Sequence, residues 1–350
     1  MAEKPWRYRI NQQTRVYVFL QVYVVLILLY LMYRLTYVIF DDYIVQHIET
    51  HGRAVFITGC DTGLGNQFAR HLDDLGFVVF AGCLNTKSPG AVSLTKECSR
   101  RLHVIEVNTT SDESIQRAVE TVKKQLPKKG LWAIINNAGM DMLGDVELSP
   151  ISLYEKGFNL NMYGYIRVMK SFLPFIRQSR GRIINVSSVR GRLCEPNQSN
   201  YSTAKHAIET ISDSLRLEMK KFGVKVSIIE PGNFGQATAI GASHVIERNK
   251  SELDEMWQSV REEVKEAYSW SYMEAMLSKP VGGWPPKADS SVVARAVEHA
   301  LCSGLPKYRY LIQGKGSIVF FADEFVVLTL LHNIIPTWIT DKYIVFWKGL

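Results

Sequence analysis

The spacing of apolar and polar positions divides the chain into stretches of different character. Residues 16 to 40, VYVFLQVYVVLILLYLMYRLTYVIF, are apolar apart from Gln21, Arg34 and Thr36. About 20 such residues span a bilayer as a helix, and Arg34 near the far end can carry its head group to the interface. The run is therefore expected to be an uncleaved transmembrane helix. A cleaved signal peptide is the alternative, but the run is too long for one and no small-x-small cleavage pattern follows. From Arg53 onward, short apolar runs alternate with longer helical patterns. Strands are expected before Thr58, at Phe77 to Ala81, His103 to Val107, Trp132 to Ile135, Ile183 to Val186 and Val224 to Glu230, with helices from Asp112 to Gln125 and Tyr201 to Phe222. That alternation predicts an α/β domain with a doubly wound parallel sheet and helices on both faces.

Beyond the sixth strand the period changes. Leu253, Met256, Trp257, Val260, Val264 and Ala267 recur at steps of three and four, which predicts one amphipathic helix within roughly 240 to 282. Gly282-Gly283-Trp284-Pro285-Pro286 reads as a loop before a helix from Asp289 to Leu301. The tail from Ser317 to Trp338 is apolar but carries Asp323, Glu324 and Pro336, so an interfacial helix is expected, with a second span as the alternative. The domain boundaries that follow are an N-terminal tail and anchor over 1–50, a catalytic domain over 51–315 with a substrate cover at about 233–288, and a membrane-associated tail over 316–350.

Composition narrows the function classes. The 350 residues are 47% hydrophobic, enough for a sizeable core, and the formal charge of +7 is spread without any run of five basic residues. No nucleic-acid partner is expected. The five cysteines form no C-x-x-C pair and the eight histidines no H-x-H or H-E-x-x-H, so neither a metal nor a disulfide framework is indicated. Lys4, Arg7, Arg9 and Arg15 precede the apolar run while Asp41 and Asp42 follow it, which orients the amino terminus to the cytosol and the remainder to the lumenal side. Of five N-x-S/T sequons, at Asn108, Asn185, Asn197, Asn200 and Asn249, only Asn197 and Asn249 suit a glycan, since Asn185 lies in a predicted strand and Asn200 adjoins Tyr201.

Three motifs carry chemistry. After the first strand comes Thr58-Gly59-x-x-x-Gly63-Leu64-Gly65, followed by a helix beginning near Asn66. Glycines there let backbone approach a pyrophosphate, and the helix offers unpaired N–H groups and a positive dipole end to it. A merely tight turn is the alternative. The fourth strand ends in Asn136-Asn137-Ala138-Gly139, which can line the same crevice. The third motif starts from Ser187-Ser188 at the end of the fifth strand and continues to Tyr201 and Lys205, a pair four residues apart and so on one helix face. A phenol of pKa about 10 is a poor base at neutral pH, and bringing it to about 7 takes about 4 kcal/mol of preference for the phenolate, which a close ammonium helps to supply. Taken alone, Y-x-x-x-K also fits an exposed tyrosine stacked on a lysine stem.

In this order and at these intervals the motifs resemble those of the short-chain dehydrogenases/reductases, firmly over 52 to 240 and more loosely toward 310. The phrases ITGCDTGLG, GLWAIINNAG, SFLPFIRQSRGRIINVSS and VSIIEPGNF are similar to the branch of retinol dehydrogenases, type 2 17β-hydroxysteroid dehydrogenase and D-3-hydroxybutyrate dehydrogenase. The resemblance implies a Rossmann-type fold, with Tyr201 as general acid/base, Lys205 lowering its pKa and holding the nicotinamide ribose, and Ser188 polarising the substrate oxygen. Asn161, in Asn161-Met162-Tyr163-Gly164, would position a relay water; an amide bonded to nearby backbone is the other reading. Asn108 would face the adenine, Asn137, Ala138 and Gly139 the crevice, and Pro231 and Gly232 the nicotinamide. Cys83 stands where many NAD-using members carry an acid, with Lys87 close by, so NAD is expected and NADP is not excluded. A lipophilic alcohol or ketone, steroid or retinoid, is the expected substrate, with Trp257, Tyr268 and Trp270 as candidate pocket walls. The rivals are a small 3-hydroxy acid, whose carboxylate Arg190 or Arg192 would hold, and a catalytically silent scaffold, which intact Ser188, Tyr201, Lys205 and Asn161 argue against. An endoplasmic reticulum membrane is expected, a mitochondrial one being the alternative, with a homo-oligomer consistent with relatives.

Overall fold

The computed structural model describes residues 12–39, 47–234, 238, 243–277 and 289–312. It divides into two compact units, one containing the helix α1 (Gln12–Ile39), the other running from Glu49 to Cys302 and including the last strand. α1 is 28 residues long. Among the described residues no helix is long and apolar enough to cross a membrane. Phe40 at the end of the run lies outside the described residues, as do the flanking charges Lys4, Arg7, Asp41 and Asp42, and the expected anchor is not established by the fold.

In the second unit, seven parallel strands form one sheet in the order β3-β2-β1-β4-β5-β6-β7. They are β1 (Ala54–Thr58), β2 (Val78–Cys83), β3 (Leu102–Glu106), β4 (Leu131–Asn136), β5 (Arg182–Val186), β6 (Lys225–Pro231) and β7 (Arg309–Ile312). β1, β4 and β5 are buried at every position, as expected of a sheet covered on both faces, which is why these strands read as continuous apolar runs. Pairing of Thr58 with Gly82, Ile57 with Ile135, Asn136 with Asn185 and Val186 with Ile229 brings the residues after each strand to one carboxyl edge. Strand order reverses between β1 and β4, and the crevice at such a reversal is where α/β sheets take their ligands.

The covering helices have identifiable start signals. Ser88 caps α3 (Pro89–Glu97), with proline in the first turn, and Ser111 caps α4 (Asp112–Gln125) by accepting from Ser114 N at 3.1 Å. α4 and α6 (Gly164–Ser179) bury Ile115, Val119, Phe172 and Ile176 against the sheet, with Phe56 and Phe172 stacked at 4.4 Å. α11 (Ser291–Cys302) is tied to β4 by Trp132 Nε1 donating to the Leu301 carbonyl at 3.1 Å.

The structure departs from expectation in four places. α2 begins at Gly63 and runs to Asp74, three residues ahead of Asn66, because the glycine at 63 takes φ +61 and turns directly into the helix. Between α5 (Ile151–Phe158) and α6 lies a π-helical turn, Asn159–Tyr163, a widening that no periodicity signals. The single helix expected within 240–282 is three: α8 (Ser243–Ser259), α9 (Glu262–Ala267) and α10 (Trp270–Leu277). Arg261 and Tyr268 adopt extended backbone, and Ser269 accepts from Tyr272 N at 3.2 Å to start α10. The buried residues Leu253, Met256, Val260 and Val264 keep the helical spacing across the first break and pack with Met142, Leu148 and Met273 into a second core. β7, only four residues long, lacks enough pattern to be read from sequence. The loop at 282–286 and the tail at 317–338 lie outside the described residues.

Candidate active site

The crevice is built from glycines that leave no room for a side chain. A Cβ on Gly65 would land on the Gly59 carbonyl oxygen and within 2.5 Å of Asn137 Nδ2. Gly59, at φ +72, would put a Cβ 2.8 Å from Ala138 Cα. β1 and β4 are thus pressed together, and Thr58 binds them: its hydroxyl accepts from Asn137 N and Ala138 N, both at 3.0 Å. Asn137 returns Nδ2 to the carbonyls of Thr58 at 3.0 Å and Gly59 at 3.2 Å. Thr62 makes no side-chain cap at the start of α2, so the first N–H groups of that helix, at Gly63, Leu64 and Gly65, meet the crevice uncapped by it. This cradle fits the pyrophosphate of a dinucleotide.

Across the same edge lie the residues expected to be catalytic. Ser188 follows β5 in extended backbone, and its hydroxyl accepts from Arg190 N at 3.2 Å. α7 (Ser199–Met219) carries Tyr201 and Lys205 on one face. The Lys205 ammonium sits 5.5 Å from the Tyr201 ring centroid and 5.3 Å from that of Tyr165, and donates to Val186 O at 2.8 Å and to the Tyr165 hydroxyl at 3.4 Å. Tyr165 in turn donates to Val186 O at 2.9 Å. Lys205 is 3% exposed, and that burial brings its pKa down to about 8, with Glu209 one turn later opposing the fall. The Tyr201 phenol is pushed up, by burial first and by Asp141 second, against the Arg190 cation and a hydrogen bond with Ser188. Lys205 therefore lies beside Tyr201 as expected, yet its hydrogen bonds go to Val186 and Tyr165, and the surroundings raise the phenol where a lowering was expected.

The other expected residues divide into those the fold gathers and those it employs elsewhere. Asn161, on the π-helical turn and fully buried, clamps Met140: Oδ1 accepts from its N–H at 2.9 Å and Nδ2 donates to its carbonyl at 2.8 Å. A Cβ on Gly139 would stand 3.0 Å from Asn161 Oδ1 and 3.7 Å from Lys205 Nζ, so the two side chains converge there. Asn108 turns its Oδ1 into its own loop, accepting from the N–H and hydroxyl of Thr110 at 3.0 and 2.7 Å. Pro231 pairs with Ile312 of β7, and Gly232 N donates to that residue's carbonyl at 2.8 Å. Cys83 is fully buried and its thiol is pushed up to about 12 by burial, so it offers nothing to a ribose.

Arg190 and Arg192 are engaged within the protein. Arg190 meets Glu195 at 2.5 Å and Arg192 meets Glu230 at 2.5 Å, both acids being almost wholly buried. Of the expected pocket walls, Trp257 packs against the second core, Tyr268 donates to Glu147 at 3.0 Å, and Trp270 lines a cavity of about 240 Å³ between α8 and α10 whose lining includes none of Ser188, Tyr201 and Lys205. Tyr165, Asp61 and Asp141 were not read from the sequence. Tyr165 had a signal, standing four residues after Asn161; the two acids had none.

Known proteins can be compared with this site. The family model described as short chain dehydrogenase matches residues 53–249. The mitochondrial D-beta-hydroxybutyrate dehydrogenase of Mus musculus is 39% identical over 273 residues, covering 77% of this chain and 79% of that protein. Estradiol 17-beta-dehydrogenase 2 of Rattus norvegicus is 35% identical over 83% of this chain and 76% of its own. Retinol dehydrogenase 7 of Rattus norvegicus is 35% identical over 88% and 91%. The family match spans the glycine cradle and the Ser188 to Lys205 cluster, and the chain accordingly belongs to the short-chain dehydrogenases, NAD(P)-dependent oxidoreductases acting on CH–OH groups.

Proposed function

We propose that the protein interconverts an alcohol and a ketone or aldehyde on a lipophilic substrate, a steroid or retinoid, with NAD as cofactor. Tyr201 takes the hydroxyl proton, Ser188 holds the same oxygen, and Lys205 supplies positive charge beside the phenol and a donor to the ribose. When bound, the nicotinamide accepts the hydride. Asn161 keeps Met140, and so the crevice wall after Gly139, in position beside Lys205.

The observation that carries the choice of substrate is the state of the two arginines. A 3-hydroxy acid needs a free cation for its carboxylate, and Arg190 and Arg192 already pair with Glu195 and Glu230. An arginine already held by a buried acid is a poor receptor for a second anion, since the charge it would offer is spent. The second core, where Met140 packs against Met142, Met256, Met273 and Met276, is instead apolar and adaptable, as a cover for a lipophilic substrate would be. The apolar run at 16–40 supports membrane attachment, with the endoplasmic reticulum as the proposed site, bringing the enzyme to substrates dissolved in lipid.

The hydroxy-acid reading stands second, favoured by the 39% identity with a hydroxybutyrate dehydrogenase. Reduction of NAD, with NADP in parallel, by detergent-solubilised protein separates the two, using estradiol, other hydroxysteroids, retinol and 3-hydroxybutyrate. Turnover of a steroid or retinoid is expected. Turnover of hydroxybutyrate alone would move the assignment to the small acid.

A further inference from the structure

In dinucleotide folds an acid about 20 residues beyond the glycine motif, at the end of the second strand, accepts the adenosine ribose hydroxyls and repels a 2′-phosphate. Here that place holds the buried Cys83, and an acid reaches it from the other side. Asp61, in the loop between β1 and α2, extends across the sheet edge to the first two backbone N–H groups beyond β2: Oδ2 accepts from Leu84 N at 2.8 Å and Oδ1 from Asn85 N at 2.9 Å. Its negative charge also contributes to holding the Cys83 thiol proton on.

The loop that carries Asp61 is held in place. Asn66 Nδ2 donates to Cys60 O at 3.0 Å and to Gly90 O at 3.1 Å, tying it to the start of α3, where Gly90 has no room for a Cβ against the Asp61 carbonyl. Oδ1 accepts further from the Ser88 hydroxyl at 3.4 Å, while Oδ2 has a second lone pair beyond the one given to backbone. The side chain is half-buried, so it is not enclosed by the protein.

We propose that Asp61 is the residue that selects NAD over NADP, performing from the glycine-rich loop the task usually given to an acid on β2. The inference rests on the dinucleotide reading of the Gly59 to Gly65 cradle. A ribose with free hydroxyls donates to the Asp61 carboxylate. A 2′-phosphate, with between one and two negative charges at neutral pH by analogy with other phosphomonoesters, meets a fixed like charge. Lys87, exposed in the loop between β2 and α3, works in the opposite direction and softens the preference without reversing it.

The test is isothermal titration calorimetry of the solubilised full-length protein with NAD and with NADP, for the parent, Asp61→Asn and Asp61→Ser. Asn keeps one acceptor for the loop N–H groups and Ser keeps a smaller one, while both remove the charge. The parent is expected to bind NAD the more tightly, and in both variants the ratio of the NADP Kd to the NAD Kd should fall by at least about tenfold, mainly through tighter NADP. An unchanged ratio with NAD binding retained would overturn the proposal. So would loss of both dinucleotides in both variants, which would make Asp61 a support of the loop and no more. A parent that binds neither dinucleotide would instead sink the cradle reading beneath it.

Discussion

Lys205 offers the most demanding check on the site, because its two effects have opposite signs. Lys205→Met keeps most of the stem and removes the charge. The ammonium is 3% exposed and its pKa falls from 10.5 to about 8, chiefly through burial. At about 1.4 kcal/mol per pKa unit, holding the proton there costs the folded protein about 3 kcal/mol at pH 7. Against this the variant loses the hydrogen bonds to Val186 O and Tyr165, although Val186 O keeps its bond from Tyr165. Those losses amount to about 1–2 kcal/mol, so the variant should be more stable than the parent by about 1–2 kcal/mol at pH 7 while its turnover falls at least about 100-fold.

The pH dependence sharpens the case. Between about 8 and 10.5 the unfolded chain binds a proton at Lys205 that the folded chain has released. Stability of the parent therefore rises with pH through this window, and the advantage of the variant shrinks, vanishes between about pH 9 and 10, and then reverses. Urea titrations followed by tryptophan fluorescence, at steps from pH 7 to 10 in one detergent, measure the difference directly. A variant that is less stable than the parent by more than about 2 kcal/mol at pH 7, with a gap that does not change with pH, would refute the reasoning.

Other substitutions test other parts of the frame. Gly65→Ala places a methyl on the Gly59 carbonyl and Asn137, and should abolish NAD binding by calorimetry; an unchanged Kd would remove the cradle from the argument. Tyr272, on α10, donates to Asp145, whose other oxygen accepts from Asn197 N at 2.9 Å just ahead of Tyr201. Tyr272→Phe should loosen the cover and raise KM for a lipophilic alcohol about tenfold, with kcat little altered; a loss confined to kcat would speak against a covering role. Arg309 binds Asp213 at 2.5 Å and Glu209 at 3.1 Å and approaches the fully buried Glu230 at 3.8 Å. Arg309→Ala should cost about 3–5 kcal/mol. Burial already pushes the Glu230 carboxyl up to about 7, and without Arg309 it should go higher, so the folded variant holds a proton that the unfolded chain gives up. Its loss of stability relative to the parent should therefore grow as pH rises above about 7, where the parent's Glu230 ionises and the variant's does not, and a flat profile there would count against the network.

Much of the frame is legible in the chain because its signals are local. The helix at Asp112–Gln125 was bounded correctly from sequence because Ser111 caps it and Ser114, Ile115, Ala118, Val119 and Val122 form one face. The strands β1, β4, β5 and β6 are apolar runs for the same reason that they are buried, and the residues ending them are motif residues because they meet at one edge. Where the reading failed, the deciding contacts were distant ones or the pattern was indifferent to the outcome. Three short helices and one long helix share the same three-and-four spacing over 253 to 264, and only the extended backbone at Arg261 and Tyr268 separates them.

At the site the division is the same. Spacing alone put Tyr201 and Lys205 on one helix face, and motif order brought Ser188 and the glycines to the same crevice. Which partners those side chains choose was decided by packing. Arg190 and Arg192 look like open cations in the sequence, and Glu195 and Glu230 claim them. Asn161 spends both amide atoms on Met140, and the Lys205 ammonium turns to Val186 and Tyr165. An acid that seemed missing after the second strand arrives as Asp61 from the end of the first. Periodicity and spacing act along a single element, so one chain reveals them. Hydrogen bonds and ion pairs between elements depend on register and crossover, and these exist only once the sheet has formed.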